Sequence, residues 1–434
     1  MRNNIVHQGA GELTYEIRGI VTVAEEIKKL GQEIYWENTG DPVAKGYQMP
    51  EWIKDIVKNA LNDNKSFAYN PTKGLLETRE FLAKKRNAKN GVKITADDIC
   101  FFNGLGDAIS KIYAYLRKES RVIGPSPAYS THSSAEAAHA GSPHITYNLL
   151  PEKNWLPDMT DMENKIKYNP TISGILIINP NNPTGMVYPK KILEQIVALA
   201  KKYDLFLISD EVYRSIAHND KKMFSLAEII GETPGIAMKG ISKEFPWPGS
   251  RCGWIETYNK EKDAVFAKYV KSILDAKMME VCSTTLPQMA IPIVMSDPRY
   301  ESHLKERRMF YKKRSMKAFN ILKNVSGIIS PKTTGAFYVS VVFLDKNKLN
   351  NWQKLEIKNS KIKNFIEEKT KSDISLDKRF AYYLMGATGI CVVPLTGFNC
   401  DLLGFRVTLL ETEEKRFEWI YNTIAEKIKE YLKS

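Results

Sequence analysis

Through the middle of the chain, short apolar runs alternate with longer stretches whose apolar positions recur at helical spacing. The runs are "GILIIN" (174–179), "LFLISD" (205–210) and "GIAMKGIS" (235–242), the first two rich in residues that favour strands. Between them, "KKILEQIVALAKKY" (190–203) sets Ile192, Leu193, Ile196, Val197 and Leu199 on one helical face. This alternation predicts an α/β domain with a mostly parallel sheet covered by helices. In such sheets active sites gather at the carboxyl ends of the strands.

From about residue 330 the texture changes to "GAFYVSVVFLD", a lysine-rich middle, "GICVVPLTGF", "GFRVTLLE" and a last amphipathic helix. That order predicts a smaller α+β domain. Segment 345–378 reads as an exposed insertion within it, although "IKNFIEEKT" also suits a helix. No glycine- or serine-rich linker separates the two parts, so a helix around 300–325 is expected to carry the boundary. The expected division is an N-terminal segment, 1–47, joining the small domain, a large domain, 48–325, and the small domain, 326–434.

Length and composition agree with this picture. The 434 residues, 43% hydrophobic and 26% charged, fit a large globular domain plus a smaller one. Five scattered cysteines with no CxxC pair argue against a disulfide framework and a zinc site. The N-terminal residues lack a signal-peptide apolar core, and no apolar run approaches a membrane span, so a cytoplasmic protein is expected. The net charge of +13 is spread over amphipathic stretches, which favours a lysine-rich solvated surface over a nucleic-acid face.

Candidate chemistry sits at the predicted strand ends. "NPNNPTG" (179–185) is turn chemistry that either closes a loop or holds the Asn182 amide for a ligand oxygen. In "SDEVY" (209–213), Asp210 is either a helix cap or a carboxylate that keeps a heterocyclic nitrogen protonated, with Tyr213 beside it. Lys243 and Arg251, in "SKEFPWPGSRCG", are either surface cations or an amine and a phosphate fork. A glycine turn in "FFNGLGDAISKIYAYL" (101–116) opens a helix whose N-terminus favours an anion.

Taken in order, "NPNNPTG", "SDEVY", "SKEFPWPGSRCG" and "GFRVTLLE" resemble the fold type I, class I/II aminotransferases that use pyridoxal phosphate. The resemblance runs from "NTGDP" (38–42) through "YNPTKGLLETRE" (69–80) to Arg406. It implies a large domain with a mostly parallel seven-stranded sheet. It also implies that Lys243 forms the Schiff base with the cofactor, that Asp210 pairs with the pyridinium nitrogen, and that Tyr213 and Asn182 reach the ring's phenolic oxygen. Tyr129, in "PSPAYS", matches the aromatic residue stacked on the ring. Phosphate contacts fall to the backbone of Leu105 and Gly106, to Arg251 and to the Ser242 hydroxyl. Tyr69 resembles the residue that reaches the neighbouring subunit's phosphate, implying a homodimer, and Arg406 the one that binds the substrate carboxylate, with Gly40 nearby.

Three positions depart from that pattern. Gly240 stands where many relatives carry serine, Leu395 replaces a glycine, and Leu105 stands where relatives often have a hydroxyl. The implied reaction moves an amino group between an L-amino acid and a 2-oxo acid, with a pyridoxamine phosphate intermediate and no metal. A lyase performing β-elimination or C–S cleavage shares every cofactor contact and is the alternative. A transcriptional regulator on this fold needs a DNA-binding module, for which the segment before "NTGDP" is too short. Arg18 is a candidate partner for a second substrate carboxylate that rests on no motif.

Overall fold

The uniformly apolar runs are the inner strands of an eight-stranded sheet in this computed structural model, which describes residues 5–13, 16–218, 223–345 and 348–434. Part of the N-terminal segment and residues 346–347 of segment 345–378 thus lie outside the described residues. The strand order is Ile99–Phe102, Gly253–Tyr258, Gly235–Gly240, Phe206–Asp210, Ile172–Ile178, Arg121–Ser126, Thr146–Leu150 and Leu156–Pro157. Five consecutive strands, from Gly235–Gly240 to Thr146–Leu150, pair in parallel, and Gly253–Tyr258 runs antiparallel to both of its neighbours. Seven strands were expected; the eighth is the two-residue edge strand Leu156–Pro157, too short to show a period in the sequence.

Apolar residues run without a break over 175–178 and 206–208 because both faces of the sheet are buried there. Ile175 and Ile177 join one core with Leu207 and Ala237. Leu176 and Ile178 join the core on the other face with Ile208, Ile236 and Met238. The helix Lys190–Lys202 follows its predicted stripe and buries Leu193, Ile196, Leu199 and Ala200.

A second, four-stranded antiparallel sheet has the order Ile328–Ile329, Tyr338–Phe343, Gly404–Thr408, Val393–Pro394. Its core also takes in Ile20, Val23, Ala24 and Ile27 of the N-terminal helix Glu16–Lys29. The helix Tyr300–Leu322 links the two bodies: Tyr300 and Leu304 lie in the large-sheet core, Ala318 and Leu322 in the small-sheet core.

Segment 345–378 departs from the expected exposed insertion. Leu349, Leu355 and Ile357 are buried, and "IKNFIEEKT" lies in the helix Ser360–Lys369, which buries Ile362 and Ile366. The lysines between these positions disguise the stripe: the four-residue step from Ile362 to Ile366 is a helical repeat that brings both side chains to the core.

Candidate active site

The parallel strands deliver their carboxyl ends to one place. Asp210 is the last residue of its strand, Asn182 lies in the loop after Ile172–Ile178, and Tyr129 precedes the helix Ser130–Ala140. Leu105 and Gly106 open the helix Leu105–Ala114. With Gly40, Tyr213, Ser242, Lys243, Arg251 and Arg406, these residues line one cavity of about 250 Å³. Tyr69 is not among the lining residues and is 84% exposed. Arg18, exposed on the N-terminal helix, does not line the cavity either.

The run expected to be strand as far as Ser242 ends at Gly240, and Lys243 sits in a single helical turn, Ile241–Glu244. Arg307, from the long helix, fixes that turn by donating to the carbonyls of Lys243 at 2.6 Å and Glu244 at 2.8 Å. The Lys243 amine donates to the Gly40 carbonyl at 2.6 Å. Loss of hydration brings it down to about 8 from the usual 10.5; Asp41 opposes the change, and Arg406, Arg251 and Arg307 reinforce it. A fraction of roughly one-tenth is therefore the free, nucleophilic base at neutral pH, against well under a thousandth for an ordinary lysine.

Arg406 is 2% exposed and lies between two rings, 4.4 Å from the centre of Tyr338 and 4.9 Å from that of Phe398. One terminal nitrogen donates to Asn182 Oδ1 at 3.2 Å and the other to the carbonyl of Asn38. The pair of rings and the two acceptors fix the plane of the guanidinium, which suits a fork for a carboxylate.

Asp210 is 4% exposed, and of the two roles open to it in the sequence the cap is present. Oδ1 caps the following turn by accepting from the Val212 amide at 3.0 Å. Oδ2 lies 3.2 Å from His132 Nε2, and His132 Nδ1 lies 3.2 Å from the Tyr113 hydroxyl. His132 thus links the Asp210 carboxyl to the Tyr113 hydroxyl through its two ring nitrogens. Sequence reasoning missed this histidine, although it follows Tyr129 by three residues and therefore shares its helical face. It also missed Asn38 and Tyr338; the latter hides among the strand residues of "GAFYVS".

At the other end, Gly104 precedes the helix Leu105–Ala114 with φ of 84°. A Cβ on Gly104 would lie 2.5 Å from Arg251 Nη2, so the absent side chain is what lets the guanidinium reach the helix N-terminus. The first-turn amides of Leu105 and Gly106 have no acceptor within the helix, and they face the same space. Gly240 does not line this cavity, and a Cβ there would lie 3.1 Å from the Cys252 carbonyl.

Known proteins carry the same architecture. The family described as "Aminotransferase class I and II" matches residues 37–417. An uncharacterised aminotransferase of Methanocaldococcus jannaschii is 59% identical over 434 residues, the whole of both chains. A glutamate-pyruvate aminotransferase of Escherichia coli is 28% identical over 329 residues, 75% of this chain and 79% of that one. The solved alanine aminotransferase of Pyrococcus furiosus superposes with a TM-score of 0.82 at 26% identity, covering 98% of each chain. The chain belongs to the class I and II aminotransferases.

Proposed function

We propose that this aminotransferase moves an amino group between L-alanine and a 2-oxo acid, with Lys243 as the proton-transferring base. The enzymes of this family work with pyridoxal phosphate, which, when bound, supplies the electron sink for cleavage of a Cα–H bond. The cavity residues fit that group. A helix N-terminus with an arginine fork over a glycine suits a phosphate, and a buried carboxylate 3.2 Å from a histidine suits a protonated ring nitrogen. Leu105, Gly106, Ser242 and Arg251 would hold the phosphate, Asp210 the ring nitrogen, Asn182 and Tyr213 the phenolic oxygen, and Tyr129 one ring face.

The observation that carries the reading is the enclosure of the Lys243 amine in one cavity with Asp210 and Arg406. Arg406 binds the substrate carboxylate and thereby sets the Cα–H bond before the Lys243 amine. Lys243 takes that proton and returns it one position away, and the same enclosure keeps water from competing with the transfer. Alanine is favoured because, of the three cationic side chains lining the cavity, Lys243 and Arg251 have other work. Only Arg406 remains for a carboxylate from this protomer. The name of the Pyrococcus relative supports the same substrate, and that of the Escherichia coli relative gives pyruvate, the 2-oxo acid that alanine yields, alongside glutamate.

In the same reading two copies associate, with Tyr69 reaching the partner's phosphate; exposed Phe67, Met279 and Val281 supply apolar surface for that contact. Residues 48–325 act as the cofactor-binding domain, and 326–434 with 1–47 as the smaller one. Five unpaired cysteines, four of them buried, suit a reducing cytoplasm.

A visible spectrum tests the function. Addition of L-alanine without an acceptor should discharge the lysine-linked band, with one equivalent of pyruvate released and then no more. Continuous keto acid production with ammonia would overturn transamination, and an unchanged spectrum would overturn alanine.

A further inference from the structure

Resting on that assignment of the cavity, we infer that Tyr338 is a positioning residue that aims the Tyr213 hydroxyl at the phenolic oxygen and supports the guanidinium face of Arg406. No motif of the sequence marks it. Its strand, Tyr338–Phe343, belongs to the small sheet and pairs with the strand of Arg406, whereas Tyr213 follows a strand of the large sheet. Tyr338 therefore joins two parts of the site that reach it from different sheets.

Three contacts carry the inference. The Tyr338 and Tyr213 hydroxyls are 2.9 Å apart, in a pair where Tyr213 is 5% and Tyr338 2% exposed. The Arg406 guanidinium lies 4.4 Å from the centre of the Tyr338 ring. The Tyr338 hydroxyl also packs against Gly40, where a Cβ would come within 2.1 Å of it; the Gly40 carbonyl holds the Lys243 amine.

The hydroxyl pair has a direction. A tyrosine hydroxyl has one proton to give, so Tyr213 can donate into the cavity only if Tyr338 is the donor between the two. Donation from Tyr338 also polarises the Tyr213 hydroxyl and strengthens its own donation. A donor on the phenolic oxygen competes with the proton of the lysine linkage for that oxygen, so a weaker donor lets the linkage keep its proton to higher pH. The ring of Tyr338 acts separately, through the arginine face.

Two variants separate the hydroxyl from the ring. In Tyr338→Phe holoenzyme, the visible-band titration of the Lys243 linkage should rise by at least about 0.3 pH unit, part of the roughly 1 unit that a whole hydrogen bond is worth. KM for the amino acid should stay within about twofold, since the ring remains under Arg406. Tyr338→Ala should raise KM about tenfold. In a Tyr213→Phe background, adding Tyr338→Phe should leave the titration where Tyr213→Phe alone puts it.

An unshifted titration in Tyr338→Phe would overturn the inference, as would a further shift in the double variant or an equal KM for the phenylalanine and alanine variants. A wild-type protein that forms no Lys243-dependent band with added pyridoxal phosphate would instead overturn the assignment of the cavity, and this inference with it.

Discussion

Replacing Lys243 by methionine is expected to stabilise the cofactor-free protein at neutral pH while abolishing its reaction. In the folded state the amine titrates near 8 rather than the usual 10.5, chiefly through loss of hydration. At 1.36 kcal/mol for each pH unit, folding with a charged amine costs about 3 kcal/mol. The cavity screens part of this, and the bond to the Gly40 carbonyl returns about 1 kcal/mol, leaving about 1–2 kcal/mol in favour of methionine. The cost is complete below pH 8, where the folded state must keep the proton. It fades as pH rises toward 10.5, because the unfolded chain then binds more protons than the folded one. Unfolding 434 residues carries an entropy of roughly 0.9 kcal/mol per degree, so the variant should melt about 1–2 °C above the wild type at pH 7. Calorimetry of both cofactor-free proteins should show that gap closing to nearly zero by about pH 10. A methionine variant that melts below the wild type at pH 7, or a gap that does not change with pH, would refute the reasoning.

Arg406→Gln should raise the amino acid KM about a hundredfold with a smaller change in kcat, on the order of 2–3 kcal/mol for a lost charge-assisted fork. Steady-state kinetics checks it, and an unchanged KM counts against Arg406 as the carboxylate site. Gly104→Ala should weaken pyridoxal phosphate binding by about tenfold or more, because the left-handed backbone is strained and the new methyl falls on Arg251; fluorescence titration of the cofactor-free protein reads this. Tyr69→Ala should lower cofactor affinity without altering the monomer's fold. Its defect should be rescued in hybrid dimers that carry one intact Tyr69 opposite an active Lys243.

What the sequence determined by itself was whatever depends on local pattern. Uninterrupted apolar runs required strands buried on both faces, and a helical stripe between them required crossover helices. The sheet's mostly parallel order followed from that alternation, and the strand-end positions of Asp210 and Asn182 followed from the runs they terminate. Order along the chain also singled out Lys243, Arg251 and Arg406, since the combination "NPNNPTG", "SDEVY", "SKEFPWPGSRCG" and "GFRVTLLE" is far more restrictive than any one motif.

Tertiary structure decided what depends on residues distant in sequence. Tyr338 lies 125 residues from Tyr213 and His132 lies 78 from Asp210, so no local spacing could announce either contact. The burial of Leu349, Leu355, Ile357, Ile362 and Ile366 was likewise invisible, because lysines that reach solvent surround these few apolar positions. The lowered basicity of Lys243 belongs to this second kind: its amine is an ordinary base in the sequence, and it departs from that only where folding removes its water and brings Arg406, Arg251 and Arg307 around it.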